Sequence, residues 1–173
     1  MTPDIERLRD SLDDLEDQVD YLELELVNDP KWAEPSDTSY LSAADRANAD
    51  TMANVEAMAQ TNKLIAWFGR DMEGFVGLWR GPDNEPLESA PVVRLDTEGQ
   101  YQVVALTVGD YIAISVDEDD FEDAREALVE AGFAVADSAD DIWASIDGLE
   151  GPGEYRDELY NAARKKRGLK PVD

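Results

Sequence analysis

Between residues 63 and 106 the apolar side chains alternate along the chain instead of recurring every three or four positions, and they do so in four short runs. The runs 63–68, 74–80, 90–95 and 100–106 have strand length and are rich in Val, Ile, Leu, Trp and Phe. Between them stand turn-forming residues: Gly69-Arg70-Asp71, then Gly81-Pro82-Asp83-Asn84, then Asp96-Thr97-Glu98-Gly99, where the glycine can take a positive φ. Connections this short cannot cross over a sheet, so successive strands must run antiparallel. Everything else in the 173 residues has to fold around that meander.

The flanks read as helices. Thr2 can cap a first helix with Pro3 in its first turn and Asp4 and Glu6 at the positive end of its dipole. Ile5, Leu8, Leu12, Leu15, Val19, Leu22 and Leu26 alternate spacings of three and four over three heptads, so one long helix is expected to about residue 27. The flanking positions carry Arg9, Ser11, Glu16, Gln18, Glu23 and Glu25, which offer a parallel homodimer almost no cross-strand ion pairs. An intramolecular helix hairpin is therefore the expected use of this seam, with monomer and homodimer both left open.

Pro30, Pro35 and Ser36-Asp37-Thr38-Ser39 mark residues 28–40 as a loop, with Trp32 expected to pack down. A second helix is expected over 42–62, capped by Ser42 with Asp45 three residues on, and its alanines would let the first helix lie close. After the sheet, Thr107 can cap a short helix over 108–114. Residues 119–131 form another, stopped by Gly132, with Phe121, Ala124 and Leu128 on its buried side. Further helices are expected over 139–146 and over 154–167, the latter after a Gly151-Pro152-Gly153 loop. The expected fold class is α+β: a mainly antiparallel sheet of about four strands flanked by helices, with residues 1–40 as an amphipathic helix and loop packed as an arm on a core domain of 41–173.

Composition narrows the chemistry. The chain has no His and no Cys, which removes the usual general base, the thiolate nucleophile and the commonest metal ligands. The formal net charge is −26 from 41 acids and 15 bases. Five of those bases and a single acid lie in the last ten residues, so residues 1–163 hold 40 acids against 10 bases, or −30. Such a body repels nucleic-acid phosphates and anionic lipid and attracts cationic proteins. Solubility or adaptation to a salty medium is the rival explanation of the same charge. No run approaches about 18 consecutive apolar residues, and Met1-Thr2-Pro3-Asp4 starts acidic where a signal peptide would start basic, so a cytoplasmic protein without a membrane partner is expected.

The acidic run Asp117, Glu118, Asp119, Asp120 with Glu122 and Asp123 lacks the alternation, central glycine and terminal glutamate of a calcium loop, and reads as dipole partners at a helix start. Gly69, Gly74 and Gly77 fit no nucleotide fingerprint. No metal, no cofactor and no catalytic residue is expected, and hence no enzyme. The aromatics on adjacent strands are better candidates. Alternation sends Trp67 and Phe68 to opposite faces, and Phe75 and Trp79 rimmed by Asp71, Glu73, Asp83 and Glu85 have the make-up of a partner-binding hot spot. Asp117, Glu118, Asp119 and Asp120 form a second candidate surface.

Phe68-Gly69-Arg70-Asp71, Gly74-Phe75-Val76-Gly77-Leu78-Trp79, Pro91-Val92-Val93-Arg94-Leu95 and the run from Val104 to Ile112 together resemble the SUKH superfamily, over about a quarter of the chain. Its members are known mostly as bacterial immunity proteins that bind and neutralise toxins. The resemblance implies an α+β fold with a mainly antiparallel sheet, and a stoichiometric inhibitor of a basic protein toxin that works by occlusion without turnover. The alternative from the residues alone is a non-catalytic scaffold or assembly protein that uses the heptad helix.

Overall fold

The computed structural model describes residues 2–27 and 34–172. Trp32 lies outside the described residues. Five strands form one sheet: β1 (Glu25–Leu26), β2 (Ile65–Arg70), β3 (Gly74–Trp79), β4 (Val92–Asp96) and β5 (Tyr101–Ala105). They lie side by side in chain order and every neighbouring pair is antiparallel. The meander is as expected, but it has five strands where four were expected. The fifth comes from the N-terminal segment. Gly69, expected in a turn, sits inside β2 opposite Leu26, where a Cβ would come within 2.9 Å of the Leu24 Cδ1 and 3.1 Å of the Glu25 carbonyl oxygen. A side chain there would exclude β1 from the edge.

The long N-terminal helix does not form. The chain makes α1 (Pro3–Asp10), a turn through Ser11, α2 (Glu16–Tyr21) and then β1. Thr2 caps α1 as expected, its Oγ1 accepting from the Ile5 N–H at 3.3 Å. Asp10, Ser11, Asp13 and Asp14 then crowd into two turns, and side chains of this kind compete for backbone hydrogen bonds and disfavour helix interiors. Size points the same way. A straight helix of 25 residues would be about 37 Å long, roughly twice the length of these strands. By folding in two, the segment keeps Ile5, Leu8, Leu15, Leu22 and Leu24 in the same core as Val76, Val92 and Tyr111. The segment expected as an arm is thus core-forming, and its seam is not free to make a coiled coil.

The sheet is covered on both faces. Phe68, Val76, Leu78, Val92 and Val104 face α1, α2, α5 (Val108–Ala113), α6 (Phe121–Glu130) and α7 (Ala139–Ile146). Ile65, Trp79, Val93, Leu95 and Tyr101 face the other way, with Met58 of α4 (Ala49–Asn62) and Tyr155 of α8 (Pro152–Lys166) against them. Trp67 and Phe68 do take opposite faces. The expected hairpin of the first two helices is ruled out by the same division: α1 and α2 meet α5 on one face, and α4 packs along α8 on the other. The fully buried Ala53 and Ala57 of α4 and Ala163 of α8 are the small residues that such a close pair needs.

Several local readings hold. Ser42 and Asp45 form a reciprocal capping box, Thr107 accepts from the Asp110 N–H at 3.0 Å, and Gly132 follows α6 with φ +90°. The helix expected over 42–62 splits into α3 (Ala43–Ala47) and α4, because Asn48 caps α4 through its Oδ1, taking the Asp50 and Thr51 N–H groups at 2.9 and 3.2 Å. The helix expected from 119 opens with a 3-10 turn, Glu118–Asp120, before α6. Gly151-Pro152-Gly153 is the start of α8 itself: proline is tolerated in a first turn, and the Glu154 carboxylate accepts the Gly151 N–H at 3.0 Å. At the other end of α8 the basic residues fold back on α4, with Arg167 2.8 Å and Lys166 3.5 Å from Glu56, and Arg164 on Asp50.

Candidate partner-binding surface

The turn between β2 and β3 is built on Asp71. Its Oδ1 accepts the Glu73 and Gly74 N–H groups at 2.9 and 2.8 Å, so the side chain closes the turn that the backbone opens. Its Oδ2 accepts from Arg94 Nε at 3.1 Å, Arg94 Nη2 at 2.6 Å and the Tyr111 hydroxyl at 2.7 Å. Arg94 reaches this point because β4 pairs it with Val76, whose side chain faces α5. Its remaining nitrogen, Nη1, bonds to Glu73, and its guanidinium lies 5.9 Å from the centroid of the Tyr111 ring. Burial, with the charge of Asp71 and the bond to it, pushes the Tyr111 hydroxyl well above the ordinary tyrosine range, so it stays a neutral donor.

Above this buried group opens a cleft of about 270 Å³, lined by Tyr21 at the end of α2 and Leu22 just after it, Met72 and Glu73 of the turn, Ile114 after α5 and Trp143 of α7 among others. Tyr21, Met72 and Trp143 are exposed by 45%, 63% and 52%. They are three of the eight exposed large apolar side chains among the described residues, and they meet at one opening. A second hollow of about 300 Å³ shares Ile114 and Trp143 and carries Glu118 and Asp140 on its rim. Tyr21 is tied to the acidic run as well: a hydrogen bond to Asp117, followed by partial desolvation and the charges of Asp117 and Asp120, raises its pKa. Exposed aromatics beside exposed carboxylates suit a ligand that is both apolar and cationic.

The structure divides the residues singled out in the sequence. Glu73 lines the cleft, Asp117 and Asp120 act on Tyr21 at its edge, and Glu118 lines the adjoining hollow, so one residue of the first candidate surface lies near three of the second, while Asp119 is exposed on the same turn. Asp71 belongs to this place but not to its surface: its side chain is wholly buried and holds the floor. Phe75 packs edge-on against Trp67, ring centroids 6.2 Å apart, on the α4 face of the sheet. Trp79, Asp83 and Glu85 lie at the far end of β3, where Trp79 is buried and Asp83 and Glu85 are exposed. Tyr21, Met72 and Trp143 were not foreseen. Their signal is a large apolar side chain off the periodic stripe: Trp143 follows buried Ile142, and Tyr21 precedes buried Leu22.

Among the described residues no three acidic side chains converge as a metal site, and no helix is long and apolar enough to cross a membrane. No known protein family matches the chain, and neither do curated proteins or solved structures.

Proposed function

We propose that this chain is an immunity-type inhibitor of the SUKH kind, a cytoplasmic protein that binds a basic protein toxin and neutralises it by occlusion, without turnover. The observation that carries the reading is the convergence of Tyr21, Met72 and Trp143 on one cleft whose surroundings include Glu73, Asp117, Glu118, Asp120 and Asp140. Large apolar side chains at the centre of an acidic rim are the arrangement by which a few anchors supply most of an interface's affinity. The charge of −26 would speed encounter with a cationic partner, an effect that weakens as salt rises. Asp71, Arg94 and Tyr111 act here as support: their polar atoms bond one another, which keeps the cleft's floor in place.

The test is complex formation by calorimetry with cationic toxins encoded beside the gene of this protein. A stoichiometric complex is expected, with Trp143→Ala and Met72→Ala each weakening it by about 2 kcal/mol or roughly 30-fold. Absence of a complex with every such toxin overturns the proposal.

A further inference from the structure

At the opposite end of β3 from the cleft, about 20 Å along the strand, lies a larger groove of about 580 Å³. Its floor is Trp79, whose ring centroid is 5.7 Å from that of Tyr155 on α8. Leu106, just past β5, and Leu149, just before α8, form apolar walls and are 41% and 43% exposed. Pro82 and Pro91 line the groove too, and neither can donate a backbone hydrogen bond.

The charge around this apolar trough is one-sided. Glu85, Glu150, Glu154 and Glu158 line it, against a single base among the described residues, Arg80. Glu154 is taken up by the Gly151 N–H, which also offsets the positive end of the α8 dipole. Arg80 turns its Nε to the Glu85 backbone carbonyl at 3.1 Å. The exposed carboxylates of Glu85, Glu150 and Glu158 have no hydrogen-bond or ion-pair partner among the described residues.

We infer that this groove is a second docking site, and that its occupant is an extended cationic segment of a partner protein. One aliphatic side chain of the segment enters between Leu106 and Leu149 above Trp79, and lysines or arginines on either side meet Glu85, Glu150 and Glu158. Charge complementarity selects the occupant: an apolar peptide would leave three carboxylates partly desolvated and unpaired, and an acidic one would be repelled. This site shares no residue with the cleft at Tyr21 and Trp143, so it stands whether or not the toxin reading does.

The test uses the full chain, ¹⁵N-labelled, titrated with a capped synthetic heptapeptide that has two arginines at each end and a leucine flanked by glycines in the middle. Saturating amide shifts are expected at Gly81, Leu106, Leu149 and Gly151, with binding at least tenfold weaker for the peptide with serine in place of leucine. The Glu150→Lys, Glu158→Lys double variant and, separately, Leu149→Ser should each weaken binding at least tenfold. Glu126→Lys with Glu130→Lys, an equal charge change on exposed positions of α6, should change it less than threefold. Shifts spread over the whole surface, equal losses in the two double variants, or undiminished binding of the serine peptide would overturn the inference.

Discussion

Asp71 shows how much can hang on one carboxylate. It accepts five hydrogen bonds, two from its own turn, two from Arg94 and one from Tyr111, and so ties the β2–β3 turn to β4 and to α5. Removing one member of a buried ion pair leaves the other charge uncompensated, so Asp71→Ala is expected to cost about 3–5 kcal/mol, read as a lower urea midpoint. The tyrosines add a dependence on pH. Burial raises the pKa of Tyr101 and of Tyr111 above the ordinary value near 10. A raised pKa means that the stabilisation is fully present below about pH 10 and is lost above it, because the unfolded chain gives up these protons first. Urea midpoints measured from pH 8 to 11 should fall beyond about pH 10, and less steeply in Tyr111→Phe.

Among the elements, the N-terminal segment separates what a pattern allows from what a core selects. A three-four apolar repeat satisfies a long coiled-coil seam, and it equally satisfies two short helices that bend over a sheet. The two arrangements make different demands on Leu12. In a coiled coil Leu8, Leu12 and Leu15 are equivalent, whereas here Leu8 and Leu15 are buried and Leu12 is half-buried. Leu8→Ala and Leu15→Ala should each cost about 2–5 kcal/mol in urea unfolding, and Leu12→Ala clearly less. Equal losses at all three would restore the long helix. A second constraint acts at α5, where a Cβ on Gly109 would collide with the Ala134 carbonyl. Gly109→Ala should therefore lower the thermal midpoint, by an amount equivalent to about 1–3 kcal/mol.

For the molecule as a whole the charge is the dominant fact. The basic end of α8 is engaged by Asp50 and Glu56, so it neutralises α4 and leaves the cleft and the groove acidic. Self-repulsion among the remaining carboxylates opposes the folded state. Screening shortens from about 10 Å at 0.1 M salt to about 3 Å at 1 M, so the thermal midpoint should rise with added sodium chloride over that range. A midpoint that falls would mean that local ion pairs outweigh the repulsion. Encounter with a basic partner should show the opposite trend and slow as salt is added.

The helix caps at Thr2, Ser42 and Thr107, the Asp96–Gly99 hairpin, the antiparallel order of strands and the stop at Gly132 were all legible in the sequence, because each is set by residues within a few positions of one another. The acid excess and the absence of His and Cys were equally plain. Tertiary structure alone decided that residues 2–27 break into two helices and an edge strand, that α4 meets α8 instead of α1, and that Asp71 turns inward to Arg94 and Tyr111. It also decided that Tyr21, Met72 and Trp143 gather at one opening while Trp79 lies beneath another. The reason is physical: periodicity says which side chains leave water, but only packing against residues far along the chain says which face they meet and which large apolar groups remain outside.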